Sequence, residues 1–347
     1  MSKMTSLERC MVVLKGGIPD RVPVCLENFQ HVAAVAGYTM REYCLDGEKM
    51  AAAHIAAWKK FGHDMIDLEN GVAALAQAAG CQIRFTDEAP PWIIRPALES
   101  IEQVDQLKPI DPYQHATLPE IVKATRLLAS ELGQQVCLLA EADQGPFSLA
   151  SEIVGPEELL VSLLNPSQEI LVHKLLEYAY EQTLCYARAL IDAGAHLTMM
   201  GESISGPDVC SPDVYRRFAW PYQKRLVDTL RAEGKAMGMH ICGDVTPIIG
   251  PAVDTGAIFL QADYKIDHDV CKRAALGKTT LIGTVDPSGV MALGTPDDVV
   301  RAARHDIVHM SAGGGFILSP GCTLPYTTPN ENVVALIAAA EKYGRYE

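Results

Sequence analysis

The 347-residue sequence predicts a single (β/α)8 barrel, and three observations predict it. Eight short apolar runs recur along the chain, longer helical patterns separate most of them, and nearly every run ends on a polar or metal-ligating side chain. Alternating strand and helix signals indicate a parallel sheet covered by helices, although a mixed α/β sheet would give a similar string. Barrel enzymes gather their reactive groups at the carboxyl ends of the strands.

The expected strands are residues 22–28, 65–69, 136–143, 197–202, 236–242, 258–263, 280–286 and 316–320. Residues 40–61 read as one or two helices, and 118–132 as a helix behind a Thr117 cap. Residues 168–193 form a long helix with an apolar face at Leu171, Leu175, Leu176 and Tyr178. Ser211 followed by Pro212 has the cap-then-proline start expected of a helix over 212–233, and Thr295-Pro296 repeats it before 299–310. A last helix covers 329–343. Residues 81–95, with Phe85, Pro90, Pro91 and Trp92, fit no βα unit and read as a β-hairpin or an excursion over the barrel top. The sequence shows no repeat, low-complexity tract or Pro/Gly/Ser linker, so one domain is expected over 1–347, with an N-terminal extension before the first strand.

Composition narrows the class. Hydrophobic residues are 48% and charged residues 21%, the balance of a soluble globular protein. A net charge of -14 argues against nucleic acid as a partner, because phosphate neutralisation needs a basic face, and it mildly disfavours a polyanionic substrate. Ten cysteines at irregular spacing suggest reduced thiols rather than disulfides. Residues 1–9 are polar and no apolar run reaches membrane-spanning length, so a cytoplasmic protein without membrane contact is expected.

The strand ends read Glu27 and Asn28, Asp67 and Glu69, Glu141 and Asp143, Glu202, His240 and Cys242, Asp263, Asp286, then Cys322. Carboxylates crowded on one rim raise one another's pKa, and a cation at the centre would offset the repulsion. Hydrogen bonds to neighbouring loops account for a good share of these acids. Among them, Asp67, Glu69, Glu141 and Asp286 are candidates for binding polar groups of a substrate. Residues two apart on a strand face the same side, so His240 and Cys242 share one space and Ile241 points away. Imidazole and thiolate together, with Cys322 delivered from the turn Ser319-Pro320-Gly321-Cys322, form a ligand set suited to zinc. Three protein ligands leave a coordination position open, as catalytic zinc requires. Taken alone, His240 reads as a satisfied core histidine. The other cysteines read as packing or surface thiols. Glu202 is open to three roles: a fourth ligand that substrate displaces, a partner that orients His240, or a cap on the next loop. Gly313-Gly314-Gly315 precedes a strand and reads as a turn.

His240-Ile241-Cys242-Gly243 with Asp244, Thr284-Val285-Asp286-Pro287, and Leu318-Ser319-Pro320-Gly321-Cys322 ahead of 328–332 resemble the uroporphyrinogen decarboxylase superfamily. More narrowly they resemble its zinc-dependent corrinoid methyltransferase branch. Leu7-Glu8-Arg9 and Asp20-Arg21-Val22-Pro23-Val24 extend the likeness over almost the whole length. The resemblance implies the family's barrel, with zinc on His240, Cys242 and Cys322, which match the branch's His-x-Cys…Cys site residue for residue. It also implies methyl transfer between a thiol or methoxy compound and the cobalt of a corrinoid. The chain has no motif for a second cofactor domain, so a separate corrinoid-binding protein is the expected partner, docking over the strand-end rim. Glu202, His240, Cys242 and Cys322 are then the expected catalytic residues. The decarboxylase branch fits less well. It needs arginines after the first strand to grip carboxylates, where this chain reads Cys25-Leu26-Glu27-Asn28-Phe29-Gln30-His31. A barrel that binds zinc without catalysing a reaction is the third reading.

Overall fold

A computed structural model describes residues 4–346. Its strands in chain order are β1 (Met65–Leu68), β2 (Gln82–Arg84), β3 (Trp92–Arg95), β4 (Cys137–Gln144), β5 (Leu197–Gly201), β6 (Met237–Ile241), β7 (Phe259–Ala262), β8 (Thr280–Val285) and β9 (Phe316–Pro320). β1 and β4 to β9 lie side by side in that order, all parallel, in one curled sheet. β2 and β3 form the separate antiparallel hairpin, so the excursion over 81–95 is a hairpin.

The sheet therefore has seven strands where the sequence led us to expect eight. The missing one is residues 22–28, reduced to single parallel bridges from Val24 to Leu318 and from Cys25 to Met65. Pro23 explains the loss in part, since it offers no N–H to a ladder. Glu27 then turns into the left-handed region at φ +45 and a helix, Phe29–Ala36, begins at once. Even so, the segment reaches both edges of the sheet. The Cys25 N–H donates to the Leu318 carbonyl at 2.9 Å, and the Asp64 N–H donates to the Val24 carbonyl at 2.8 Å.

Asp64 fixes that segment. Its carboxylate, fully buried, accepts from Arg9 at 2.6 Å, Arg21 at 2.7 Å, the Ser6 hydroxyl at 2.9 Å and the Val24 N–H at 2.9 Å. The N-terminal extension is thus a structural part, the helix Ser6–Leu14, opened by a Thr5–Glu8 capping box. Its Cys10, Val13 and Leu14 pack among Met65, Leu139, Met199, Phe259, Ile282 and Ile317 of the strands. Those strand residues and the site residues share one face at strand period: Met65 and Asp67 on β1 with Glu69 just past its end, Leu139 and Glu141 on β4. The strand starts build an apolar plug, and the strand ends place polar groups above it.

Elsewhere 40–61 divides into Met40–Leu45 and Gly47–Phe61, because Asp46 caps the second helix through the Glu48 and Lys49 N–H groups. The expected helix over 212–233 is interrupted by a wide π turn at Tyr215–Ala219, where Pro221 supplies no N–H to the regular ladder. Among the described residues no helix is long and apolar enough to cross a membrane.

Candidate active site

At the carboxyl ends of the strands lies a cavity of about 310 Å³. His240, Cys242 and Cys322 stand together in its wall, with their ligating atoms all within 4.8 Å of one another. The His240 Nε2 is 3.2 Å from the Cys242 sulfur. A tetrahedral zinc with bonds of about 2.0–2.3 Å spaces its donors roughly 3.3–3.8 Å apart, so these residues fit such an ion. The His240 Nδ1 is buried with no hydrogen-bond partner. Burial pulls the His240 pKa down, but the hydrogen bond that its ring N–H donates to Cys322 and the charges of Cys322, Asp263 and Glu69 outweigh it and leave it raised. A hydrogen bond from Cys322 holds the Cys242 thiol below its usual value, while the same contact and burial push Cys322 up. Cys242 is accordingly the first of the pair to become a thiolate.

The turn after β6 is shaped for this. Gly243 takes φ +82, and its N–H donates to Asp263 Oδ2 at 2.8 Å, which ties the end of β6 to the end of β7. Asp263 Oδ1 is left without a partner.

Beside the triad sits a cluster of buried acids. Glu27, Glu69 and Glu141 line the cavity, and Asp67 lies next to Glu141 and Gln261 with neither carboxyl oxygen hydrogen-bonded. Burial pushes Asp67 up to about 7, and burial with the charge of Asp67 pushes Glu69 up to about 8. Glu141 and Glu27 are raised further, first by burial and then by neighbouring acids and, for Glu27, by Cys322. The structure thus brings Asp67, Glu69 and Glu141 to the same place as His240, Cys242 and Cys322.

Two expected site residues are elsewhere. Asp286 does not line the cavity; its Oδ1 accepts from the Ser288 and Gly289 N–H groups, both at 2.9 Å, and caps the turn Pro287–Ala292. Glu202 stands outside the ligand group of His240, Cys242 and Cys322. Its carboxylate accepts from the Ser148 N–H at 3.1 Å, the Ser148 hydroxyl at 3.0 Å and the Phe147 N–H at 3.3 Å, at the start of the helix Pro146–Val154. An acid belongs there because the first N–H groups of a helix have no partners of their own. The sequence leaves a cap on the next loop among its roles; the cap it forms is on the helix that follows β4, not on the loop after its own strand. Asp143 acts in the same way on Leu75 at 2.6 Å.

Phe29, Gln30, Ser203 and Thr323 also line the cavity, together with Pro90 and Pro91 of the hairpin. Sequence reading placed Pro90 and Pro91 in the excursion over 81–95 but had no pattern for Phe29, Gln30, Ser203 or Thr323, which come from a helix start and loops whose path depends on the sheet. Glu27 was legible only as a strand end; the left-handed turn that aims it inward was not. A second group, His268, His305 and Asp306, lies apart from the cavity. There the Asp306 carboxylate already accepts from the Thr284 hydroxyl at 3.0 Å, and His268 bonds that same hydroxyl at 2.8 Å.

A family model described as uroporphyrinogen decarboxylase (URO-D) matches residues 5–343, and the chain belongs to that family. Among its relatives, the methylcobamide:CoM methyltransferase MtaA of Methanosarcina barkeri is 26% identical over 349 residues, spanning 99% of each chain. The methylcobamide:CoM methyltransferase MtbA of Methanosarcina acetivorans is 27% identical over 347 residues, again 99% of each. A solved methyltransferase from Methanosarcina mazei superposes with a TM-score of 0.89 at 25% identity, covering 98% of this chain and 99% of that one.

Proposed function

We propose that this chain, as one catalytic domain, moves a methyl group between a small substrate and the cobalt of a corrinoid carried by a separate protein. The observation that carries the reading is the His240, Cys242 and Cys322 set in the wall of the strand-end cavity. The names of the relatives support it. Zinc is the proposed resident metal, held by those three residues. When bound, it supplies Lewis acidity toward the substrate's sulfur or oxygen.

The chain's own residues do the rest. Phe29, Pro90 and Pro91 narrow the cavity and keep water from the reacting atoms. Asp67 and Glu69, raised to about 7 and about 8, hold and pass protons near neutrality, where ordinary carboxyls are fully ionised. A proton released by an incoming thiol therefore has Asp67, partly ionised near pH 7, as an acceptor beside the triad. The corrinoid protein docks over the strand-end rim, on the side where the cavity opens.

Decarboxylation of a porphyrinogen is the second reading, and the cavity argues against it. No lysine or arginine lines it, and Glu27 occupies the stretch where carboxylate-gripping cations would be needed. Optical assay of cobalamin tests the choice. Cob(I)alamin is offered with methoxyarenes, methylamines and methyl thioethers, and methylcobalamin with thiols, each with a corrinoid protein present. Methyl transfer in either panel is expected. Failure in both, with measurable uroporphyrinogen turnover, refutes the proposal.

A further inference from the structure

The cavity gathers buried carboxyl groups with no cation to draw them into the charged form. Glu27 Oε2 and Glu141 Oε1 are buried with no hydrogen-bond partner, and both side chains line the space. Their residues are 4% and 6% exposed. Glu69, 8% exposed, takes a 3.5 Å bond from the Thr323 hydroxyl at its Oε2 and otherwise meets another acid, Glu141. Asp67 beneath them and Asp263 at the turn carry further unpartnered oxygens. No lysine or arginine lines the cavity. A divalent ion on His240, Cys242 and Cys322 would not supply the missing cation, because two thiolates already balance its charge. Buried carboxyl groups without partners are costly, so they persist where something else pairs with them.

We infer, on the reading proposed above, that the small substrate carries a cationic nitrogen, seated among Glu27, Glu69 and Glu141 beside the His240–Cys242–Cys322 set. The ring of Phe29, also in the lining, offers an aromatic surface to such a group. CoM, which the relatives' names contain, is a thiol bearing a sulfonate anion. In this cavity that sulfonate would meet carboxyl groups and no cation, and charge of the wrong sign is how a site rejects a partner.

Two experiments test the inference. In the first, cobalt(II)-substituted protein is titrated optically with cysteamine, 2-mercaptoethanol and 2-mercaptoethanesulfonate, three thiols of similar size and different charge. Cysteamine should bind tightest and the sulfonate weakest, with the two differing by on the order of tenfold or more. In Glu69→Gln/Glu141→Gln that spread should shrink. A sulfonate thiol that binds as tightly as cysteamine overturns the inference. The second uses the protein as purified with tetramethylammonium and methanesulfonate, neither of which is a thiol, followed by ligand-observed NMR saturation transfer. Transfer to tetramethylammonium alone, lost in the double variant, supports the inference, and transfer to methanesulfonate alone or to neither ion overturns it. If no thiol perturbs the cobalt spectrum yet tetramethylammonium binds, the metal reading fails while the cation-binding pocket stands.

Discussion

Asp64→Asn should cost the protein a large part of its stability. The native carboxylate is fully buried and faces two guanidinium groups, Arg9 at 2.6 Å and Arg21 at 2.7 Å, while also accepting from Ser6 and Val24. Arg9 is itself only 2% exposed and has Asp20 as its other carboxylate, at 2.6 Å. An asparagine keeps the shape and one acceptor. It removes the charge and turns an NH2 toward a cation. Removing one partner of a buried ion pair typically costs about 3–5 kcal/mol, because the remaining charge stays buried without compensation. Against a typical total of about 5–15 kcal/mol, that is a third or more of the margin. Urea unfolding followed by circular dichroism gives the loss. Hydrogen exchange locates it, since the Val24 N–H bonds directly to the Asp64 carboxylate and should lose protection first. Lys174→Ala, which breaks the exposed pair with Asp105, is the control and should leave the curve unchanged. A loss below about 1 kcal/mol in Asp64→Asn, or exchange at Val24 no faster than in the parent, would refute the view that this node pins residues 21–25 between the sheet edges.

Three further outcomes are expected. Cys242→Ala and Cys322→Ala should each lose most of the bound zinc by elemental analysis while keeping the native circular dichroism spectrum, because a core of this size does not depend on one metal; full metal in either variant sinks the ligand assignment. Glu202→Gln should keep its zinc, and its effect on stability should move in the stabilising direction as pH rises from 5 to 8. Burial raises the Glu202 carboxyl to about 7, so the folded state binds more protons than the unfolded state above the ordinary carboxyl range, and the parent loses stability through that window; a difference between parent and variant that stays flat with pH argues against a buried carboxyl. Gly238→Ala on β6 should lower the melting temperature, because the new methyl group would land on the buried Phe259 ring; overpacking of this kind costs about 1–3 kcal/mol, and an unchanged melting temperature would show that the ring has room to move.

The sequence by itself determined the alternation of strands and helices, the hairpin near residues 81–95 and the shared face of His240 and Cys242. Each of these is local. Strand period, cap-then-proline starts and apolar spacing are properties of a few neighbouring residues, and they survive folding unchanged. It also determined that Asp67, Glu69 and Glu141 end strands, which brings them together once those strands are parallel and in register. Only the tertiary structure decided which strand ends face the cavity. Asp286 and Glu202 are acids in the same kind of position, yet Asp286 turns back to the N–H groups of Ser288 and Gly289 just after it, and Glu202 to those of Phe147 and Ser148, which the sequence does not place near it. The first expected strand shows the same limit. Its apolar residues Val22, Val24 and Leu26 are fully buried as strand residues would be. Ladder pairing, however, depends on donors and on room between two edges, and here Pro23, the left-handed Glu27 and the carboxylate of Asp64 replace a regular ladder with two bridges. Side-chain chemistry is written along the chain, but which groups are left unpaired depends on what every other segment has already satisfied.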